Sequence, residues 1–225
     1  AIEQVQETDD FTSVLIIAPT RELAIQISLE AKLLASYTKV HIVTLIGGMD
    51  SDRQLNALRH HPHIIIGTPG RLLDLYTQGA FDLSKLSLFV IDEVDQVYST
   101  GQSEEVKQLR KEIHGVQTIC LSATKNDTIQ TYFDTPFEEV LQGSVTVNEK
   151  IRSYYLETED KKTSLLSLLQ SLPITSAIVF VNHRSTAIEL SELLLRNHIL
   201  SSAFSGYFDE RKRIAIMSDF RKGDI

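Results

Sequence analysis

Short apolar runs alternate with longer segments of helical period along residues 13–121. The runs are nearly continuous in aliphatic residues, which is typical of strands buried on both faces of a parallel sheet. Five such runs cover residues 13–18, 40–46, 63–66, 88–91 and 116–121. The segment after the first run places Leu23, Ala24, Ile27 and Ala31 on one side of a helix. The alternation predicts an α/β fold built from parallel βαβ units.

The alternation is interrupted once, near residues 142–150, by a Gly-Ser pair and an Asn-Glu-Lys run. The interruption predicts a first domain over residues 1–143, a linker over 144–150 and a second domain over 151–225. In the second domain we expect strands at 151–157, 176–181 and 201–204, and helices at 161–171, 185–196 and 210–221. The sequence stops where the pattern calls for another strand, so we interpret the second domain as truncated; the first domain is interpreted as truncated on a separate ground, given with the family resemblance below.

Composition narrows the class of protein. Of 225 residues, 42% are hydrophobic and 23% are charged, which is usual for a folded globular chain. No apolar run approaches the ~20 residues that cross a bilayer, and the first residues carry no signal-peptide pattern, so we expect a cytoplasmic protein without membrane contact. The formal net charge is −8. Any nucleic-acid binding must therefore come from a local surface.

Polar residues follow each predicted strand of the first domain. Ligands of open parallel sheets bind outside the carboxyl ends of the strands, so these residues are the first candidates for a site. In strand order they are Pro19-Thr20-Arg21-Glu22, Gly47-Gly48, Thr68-Pro69-Gly70-Arg71, Asp92-Glu93 and Ser122-Ala123-Thr124. The parallel arrangement predicts that all five groups share one edge.

Asp92-Glu93 directly after an apolar strand fits a magnesium-dependent nucleotide hydrolase. Asp92 can hold Mg²⁺ through water, while Glu93 orients and deprotonates an attacking water. Acidic residues at the start of a helix are also favoured by the helix dipole without any function. The pair alone therefore leaves both interpretations open.

Thr68, Gly70 and Arg71 offer a hydroxyl, a close backbone approach and a guanidinium to a phosphodiester. Thr20 and Arg21 repeat the hydroxyl and guanidinium at a neighbouring strand end. Each group alone is also explained as a turn or a helix start. Their shared edge favours a phosphate-binding surface.

Together these motifs resemble, in order and spacing, those of the DEAD-box RNA helicases. They are Pro19-Thr20-Arg21-Glu22-Leu23-Ala24, Gly47-Gly48, Thr68-Pro69-Gly70-Arg71, Asp92-Glu93-Val94-Asp95 and Ser122-Ala123-Thr124. In the second half, residues 177–182 and Phe220-Arg221-Lys222-Gly223 are similar to later segments of the same family. Val94 stands where the family usually has alanine, and Phe208 also departs from its pattern.

The resemblance implies two RecA-like parallel-sheet domains in tandem that close on ATP, Mg²⁺ and single-stranded RNA, unwinding or remodelling RNA duplexes. It assigns catalysis to Asp92 and Glu93, and coupling of nucleotide state to RNA to Asp95, Ser122 and Thr124. It assigns RNA binding to Pro19, Thr20, Arg21, Gly47, Gly48, Thr68, Gly70 and Arg71, with Arg184 and Gly206 from the second domain. RNA recognition is expected to be backbone-directed and sequence-tolerant, and protein partners from RNA assembly or decay are a further expectation.

No G-x-x-x-x-G-K-[ST] phosphate-binding loop occurs in the 225 residues. We therefore interpret the sequence as a fragment of a larger helicase and expect this chain alone neither to bind ATP tightly nor to hydrolyse it. A non-catalytic RNA-binding module derived from a helicase is the alternative. A different nucleotide hydrolase that uses only Asp92-Glu93 leaves Thr68 to Arg71 and Ser122 to Thr124 unexplained.

Overall fold

The computed structural model describes residues 2–123 and 151–225 of the chain. The chain divides into two compact units, Ala1–Val140 and Leu141–Ile225, which are described separately below. The predicted linker 144–150 and Thr124 lie outside the described residues.

The first unit contains a five-stranded parallel sheet with the strand order β2-β3-β1-β4-β5. The strands are β1 (Val14–Ile17), β2 (Ile42–Leu45), β3 (Ile64–Gly67), β4 (Leu88–Ile91) and β5 (Gln117–Cys120). Each coincides with one of the five apolar runs. The predicted α/β class with a parallel sheet is confirmed.

Helices connect the strands on both faces of the sheet. They are α1 (Arg21–Leu34), α2 (Ser51–Leu58), α3 (Pro69–Thr77), α4 (Val94–Ser99) and α5 (Ser103–Lys111). A short 3-10 turn, Ile2–Gln4, precedes them. Pro69 occupies the first turn of α3, where its missing N–H has no helical partner to lose.

The core has two apolar clusters, one on each face of the sheet. Leu15 and Ile17 contribute to one cluster, and Val14 and Ile16 to the other, because successive side chains of a strand point to opposite faces. All residues of β1, β3 and β4 are buried, which explains their continuous apolar sequences. These three strands form the fixed centre of the unit.

β5 lies at the edge of the sheet and is less buried than the central strands. Its last residue, Cys120, is partly buried, and desolvation raises the pKa of the thiol to about 12. A protonated thiol is a poor nucleophile, so Cys120 behaves as a small apolar residue.

The second unit contains three helices within its described residues, α6 (Lys161–Ser171), α7 (Arg184–Arg196) and α8 (Glu210–Lys222). All three were predicted. The segments 151–157, 176–181 and 201–204, predicted as strands, are not assigned as strands in the described residues. A parallel strand requires a hydrogen-bonded neighbour, and no ladder joins these segments in the described part of the unit.

The second unit also exposes apolar side chains along its 176–181 segment; Phe180, for example, is 90% exposed. This segment and residues 199–204 line an apolar groove of about 580 Å³ together with the helices. The side chains have the composition expected of strands buried on both faces, which is why the sequence alone predicts strands here.

No helix in the described parts of the chain is long and apolar enough to span a membrane.

Candidate nucleic-acid interface

The carboxyl edge of the sheet carries a cavity of about 520 Å³ in the first unit. Six of the predicted RNA-binding residues line it: Pro19, Arg21, Gly47, Thr68, Gly70 and Arg71. Three residues that the sequence analysis did not single out complete the lining: Asp74, Gln102 and Glu105. The cavity is referred to below as the edge cleft.

The Gly47-Gly48 pair lets the Arg21 guanidinium lie directly against the backbone. A Cβ on Gly47 would lie 3.1 Å from Arg21 Nη2, and one on Gly48 would lie 2.4 Å from Arg21 Nη1. Gly48 also has a φ of +81°, in the left-handed region that favours glycine. Both constraints explain why glycines occupy these positions.

Gln54 fixes the strand end that leads into the glycine pair. Its buried carboxamide is hydrogen-bonded to both backbone groups of Ile46: the Ile46 N–H donates to Gln54 Oε1 (3.0 Å), and Gln54 Nε2 donates to the Ile46 carbonyl (3.1 Å). The same Oε1 accepts a longer bond from Arg71 Nε (3.4 Å). One side chain thus positions both the backbone before Gly47 and the guanidinium of Arg71.

Two further bonds hold Arg71. Its Nη1 contacts Asp74 Oδ2 at 2.6 Å, and its Nη2 donates to Ser51 Oγ at 2.8 Å. The Arg71 side chain is only 14% exposed. A guanidinium held on all three nitrogens is preorganised, so little side-chain entropy is lost when it meets a phosphate.

The two threonines at the edge cap helices. Thr20 is the N-cap of α1, and its Oγ1 accepts a hydrogen bond from the Leu23 N–H (3.2 Å). The hydroxyl hydrogen of Thr20 is not used in that bond, so the group can still donate to an anion. Thr68 is the N-cap of α3 and makes no side-chain capping bond. A Cβ on Gly70 would meet no atom within 4 Å, so Gly70 leaves open space at the start of α3.

The acidic pair lies where β4 ends. Glu93 is the N-cap of α4 and has the left-handed backbone angles φ 46° and ψ 50°. The Glu93 N–H donates to Asp92 Oδ1 (2.9 Å), which ties the two carboxylate residues together. A glutamate in this conformation costs about 1–3 kcal/mol of strain, and such strain is concentrated at functional sites.

Two of the three predicted coupling residues, Asp95 and Ser122, lie within the described residues, at the start of α4 and just after β5. The Val94 N–H donates to the Leu121 carbonyl (2.9 Å), so the segment after β5 is tied to the first residue of α4. Asp95 lies next along α4, and Ser122 directly follows Leu121 and is exposed. The structure therefore links the two motifs through the backbone.

Among the described residues, no group of three or more His, Cys, Asp and Glu side chains is placed to hold a metal ion. Mg²⁺ in nucleotide hydrolases needs fewer protein ligands, because one or two carboxylates share it with substrate phosphates and water. The carboxylate of Asp92, at the end of β4, fits that requirement.

In the second unit, Arg184 and Gly206 lie together. A Cβ on Gly206 would lie 3.3 Å from Arg184 Cζ, and the same guanidinium carbon lies 5.3 Å from the centroid of the Tyr207 ring. Arg184 is the first residue of α7, so its cation lies at the start of a helix. The two predicted residues therefore form one local site.

Replacing Gln54 with Leu should lower the free energy of unfolding by about 3 kcal/mol, because the buried N–H and carbonyl of Ile46 both lose their partner. Gln108→Leu, an exposed change of the same kind on α5, is the control and should cost less than about 0.5 kcal/mol. Urea unfolding of both variants measures the difference. Equal losses would show that the Gln54 bonds do not stabilise the edge.

Comparison with known proteins gives the family. The model of the DEAD/DEAH box helicase family matches residues 1–132. The DEAD-box ATP-dependent RNA helicase CshA of Geobacillus kaustophilus is 32% identical over 231 residues, covering 100% of this chain and 50% of that protein. The ATP-dependent RNA helicase DeaD of Escherichia coli is 36% identical over 223 residues, covering 94% of this chain and 35% of that protein.

A match to a solved structure supports the same family. Saccharomyces cerevisiae Dbp5 bound to RNA and ADP BeF3 matches 99% of this chain and 58% of its own chain, with a TM-score of 0.84 and 26% identity. The chain spans half or less of the length of the two bacterial relatives. The resemblance drawn from the strand-end motifs is confirmed: the chain belongs to the DEAD/DEAH box helicase family.

Proposed function

We propose that this chain is part of an ATP-dependent RNA helicase and that its edge cleft holds single-stranded RNA by the backbone. The observation that carries the proposal is the cleft itself. There the Arg21 guanidinium lies against the Gly47-Gly48 backbone, and Gln54, Ser51 and Asp74 hold the Arg71 guanidinium in place. The names of the relatives CshA and DeaD and the RNA bound to Dbp5 support the same assignment.

Backbone recognition follows from the chemistry of the cleft. Its lining includes two guanidinium groups and the hydroxyl of Thr68, all of which donate to phosphate oxygen. Among the described residues, the lining includes no aromatic ring on which a base could stack. Thr20 and Gly48 border the same strand ends. The carboxylates of Asp74 and Glu105 also line the cleft and balance the charges of the two guanidinium groups. The proposed binding therefore relies on positioned hydrogen-bond donors and not on a net positive charge.

Glu93 is proposed as the general base that deprotonates the water attacking ATP. The Glu93 backbone N–H donates to Asp92 Oδ1 and so holds the Asp92 carboxylate at the sheet edge, beside the Glu93 side chain. Asp92 would hold Mg²⁺ through water, and the bound ion would supply charge neutralisation for the phosphates. The protein's own contribution is to orient the water and to accept its proton.

Coupling is proposed to pass between α4 and the segment after β5. The Val94 to Leu121 bond makes the position of Asp95 depend on that of Ser122. For Thr124, which lies outside the described residues, the same role is proposed from the sequence motif alone. A change at the acidic pair can then move the segment that continues from β5. Arg184 and Gly206 are proposed as RNA contacts of the second unit.

A non-catalytic RNA-binding module is the second candidate function. It is favoured by one observation among the described residues: the edge cleft is lined by predicted RNA-binding residues and by neither Asp92 nor Glu93. The adjacent carboxylates of Asp92 and Glu93 at the end of β4 favour the catalytic proposal, because a module that only binds RNA has no use for them.

The proposed binding of the RNA backbone in the edge cleft is tested by a matched pair of glycine variants. Gly48→Ala and Gly79→Ala each place a Cβ at a positive φ, +81° and +70°, so both should cost about 1 kcal/mol of stability. Only the Cβ on Gly48 collides with Arg21; the one on Gly79 meets no atom within 4 Å.

We expect Gly48→Ala to weaken binding of a fluorescein-labelled uridine decamer at least tenfold, and Gly79→Ala to leave it within twofold of wild type. Fluorescence anisotropy measures both affinities. Equal affinities of the two variants would show that the contact between Gly48 and Arg21 does not contribute to the proposed RNA binding.

The catalytic proposal predicts that Glu93→Gln in the full-length protein lowers RNA-stimulated ATP turnover by ~10²–10⁴, the usual value of a general base, while RNA affinity stays within twofold. Glutamine keeps the shape and can still orient water, but it cannot accept the proton. Glu30→Gln, at an exposed position of α1, is the control. Near-normal turnover in Glu93→Gln would favour the non-catalytic module.

A further inference from the structure

The turn that precedes α8 places two aromatic side chains beside cations. The guanidinium carbon of Arg184 lies over the Tyr207 ring, 5.3 Å from its centroid, and Lys212 Nζ lies 3.7 Å from the centroid of the Phe208 ring. The two rings differ in accessibility, because Tyr207 is 67% exposed whereas Phe208 is partly buried. Tyr207 is therefore the ring of this turn that a ligand can reach.

The backbone of the turn holds Tyr207 in position. Its N–H donates to Ser205 Oγ (3.2 Å), and the N–H of Phe208 donates to the Ser205 carbonyl (3.1 Å). Ser205 is itself buried. On the other side of the ring, the Asp209 carboxylate caps α8 by accepting a hydrogen bond from the Lys212 N–H (2.8 Å). The Tyr207 ring is thus carried by backbone that is fixed on both sides.

Gly206 lets the cation lie against the turn. A Cβ at this position would lie 3.3 Å from Arg184 Cζ and 3.4 Å from its Nη2. Arg184 is the first residue of α7 and is exposed. A guanidinium over an aromatic face keeps its charge and its N–H donors. The surface formed by Arg184, Gly206 and Tyr207 is called the Tyr207 platform below.

Tyr37 shows that exposure alone does not make such a surface. Its side chain is 100% exposed just after α1, and among the described residues no cation lies over its ring. Single exposed apolar side chains are normal on protein surfaces and need no explanation. The Tyr207 platform differs because a fixed turn and a cation both accompany the ring.

A ring beside a guanidinium matches the two chemistries of one nucleotide. The guanidinium donates to a phosphate oxygen, and the ring offers a flat face on which a base can stack. Unpaired bases of single-stranded RNA stack on aromatic side chains and on guanidinium planes. The lining of the edge cleft offers no ring among its described residues, so the two surfaces differ in the part of a strand that they can contact.

We infer that Tyr207 stacks on an RNA base while Arg184 binds a neighbouring phosphate. The inference rests on the proposed RNA contacts of Arg184 and Gly206 and adds a base contact to them. Because every base has a π-face, this contact leaves binding sequence-tolerant, with a modest preference for bases that stack strongly.

The test compares three fluorescein-labelled ribose decamers: adenosine, uridine, and an abasic strand that keeps the sugars and phosphates but has no bases. Affinities are measured by anisotropy for the wild-type protein, Tyr207→Ala, Tyr207→Phe, Arg184→Ala and the control Tyr37→Ala. All three positions are exposed, so we expect every variant to fold, and thermal unfolding of each one checks this.

Tyr207→Ala should weaken binding of the adenosine decamer about tenfold, the usual effect of losing one stacked base, and that of the uridine decamer by a smaller factor. Its affinity for the abasic strand should stay within twofold of wild type. Tyr207→Phe keeps the ring and should match wild type on all three strands. Arg184→Ala should weaken binding of all three, because phosphate is common to them, and Tyr37→Ala should change none.

An unchanged affinity of Tyr207→Ala for the adenosine decamer, or an equal loss for the abasic strand or in Tyr37→Ala, would overturn the stacking assignment and leave the proposed phosphate contact of Arg184 standing. A loss in Tyr207→Phe as large as in Tyr207→Ala would also overturn it, because the hydroxyl and not the ring face would then make the contact. If Arg184→Ala weakened no strand, the proposed RNA contact of the second unit would fall together with this inference.

Discussion

The parallel register of the sheet is the constraint on which the candidate site depends. Ile17, the last residue of β1, is paired with Gly67 of β3 and Ile91 of β4, and the same row continues to Leu45 of β2 and Cys120 of β5. All five strands therefore end on one line. The residues that follow them in sequence, far apart along the chain, are brought to one edge by backbone hydrogen bonds alone.

This edge is rigid because side-chain hydrogen bonds of two glutamines hold its polar groups and backbone in position. Gln54 ties the end of β2 to Arg71, and Gln102 ties the start of α5 to the backbone of Pro19. The guanidinium of Arg71 is consequently fixed before any ligand arrives. A fixed cation loses less entropy on binding than a mobile lysine would, which suits a surface that must hold a flexible single strand.

Much of this could be predicted from the sequence, for identifiable reasons. The five strands of the first unit are continuous apolar runs, and the motifs that follow them occur in a family-specific order, so both fold and edge were predictable. Gln54 and Gln102 were missed because each is a single polar residue near a helix start, and its role depends on a backbone partner in another part of the chain. Glu105 was missed because nothing in the sequence distinguishes it from the exposed Glu104 beside it. Asp74 could have been predicted, since it stands three residues after Arg71 on the same helix.

The strand predictions for the second unit were wrong within the described residues, because apolar composition does not supply a hydrogen-bonded neighbour.

The central claim, that the sheet edge binds the RNA backbone, is tested most directly by the salt dependence of binding to single strands of unrelated sequence. In the protein with Arg71→Ala, affinity for uridine, adenosine and cytidine decamers should fall by similar factors, and the slope of log K against log salt should decrease by ~0.7, as one lost phosphate contact predicts. Arg59→Ala, at an exposed position after α2, should change neither quantity. A loss confined to one of the three sequences, with the salt slope unchanged, would contradict the account, because Arg71 would then read bases and not phosphates.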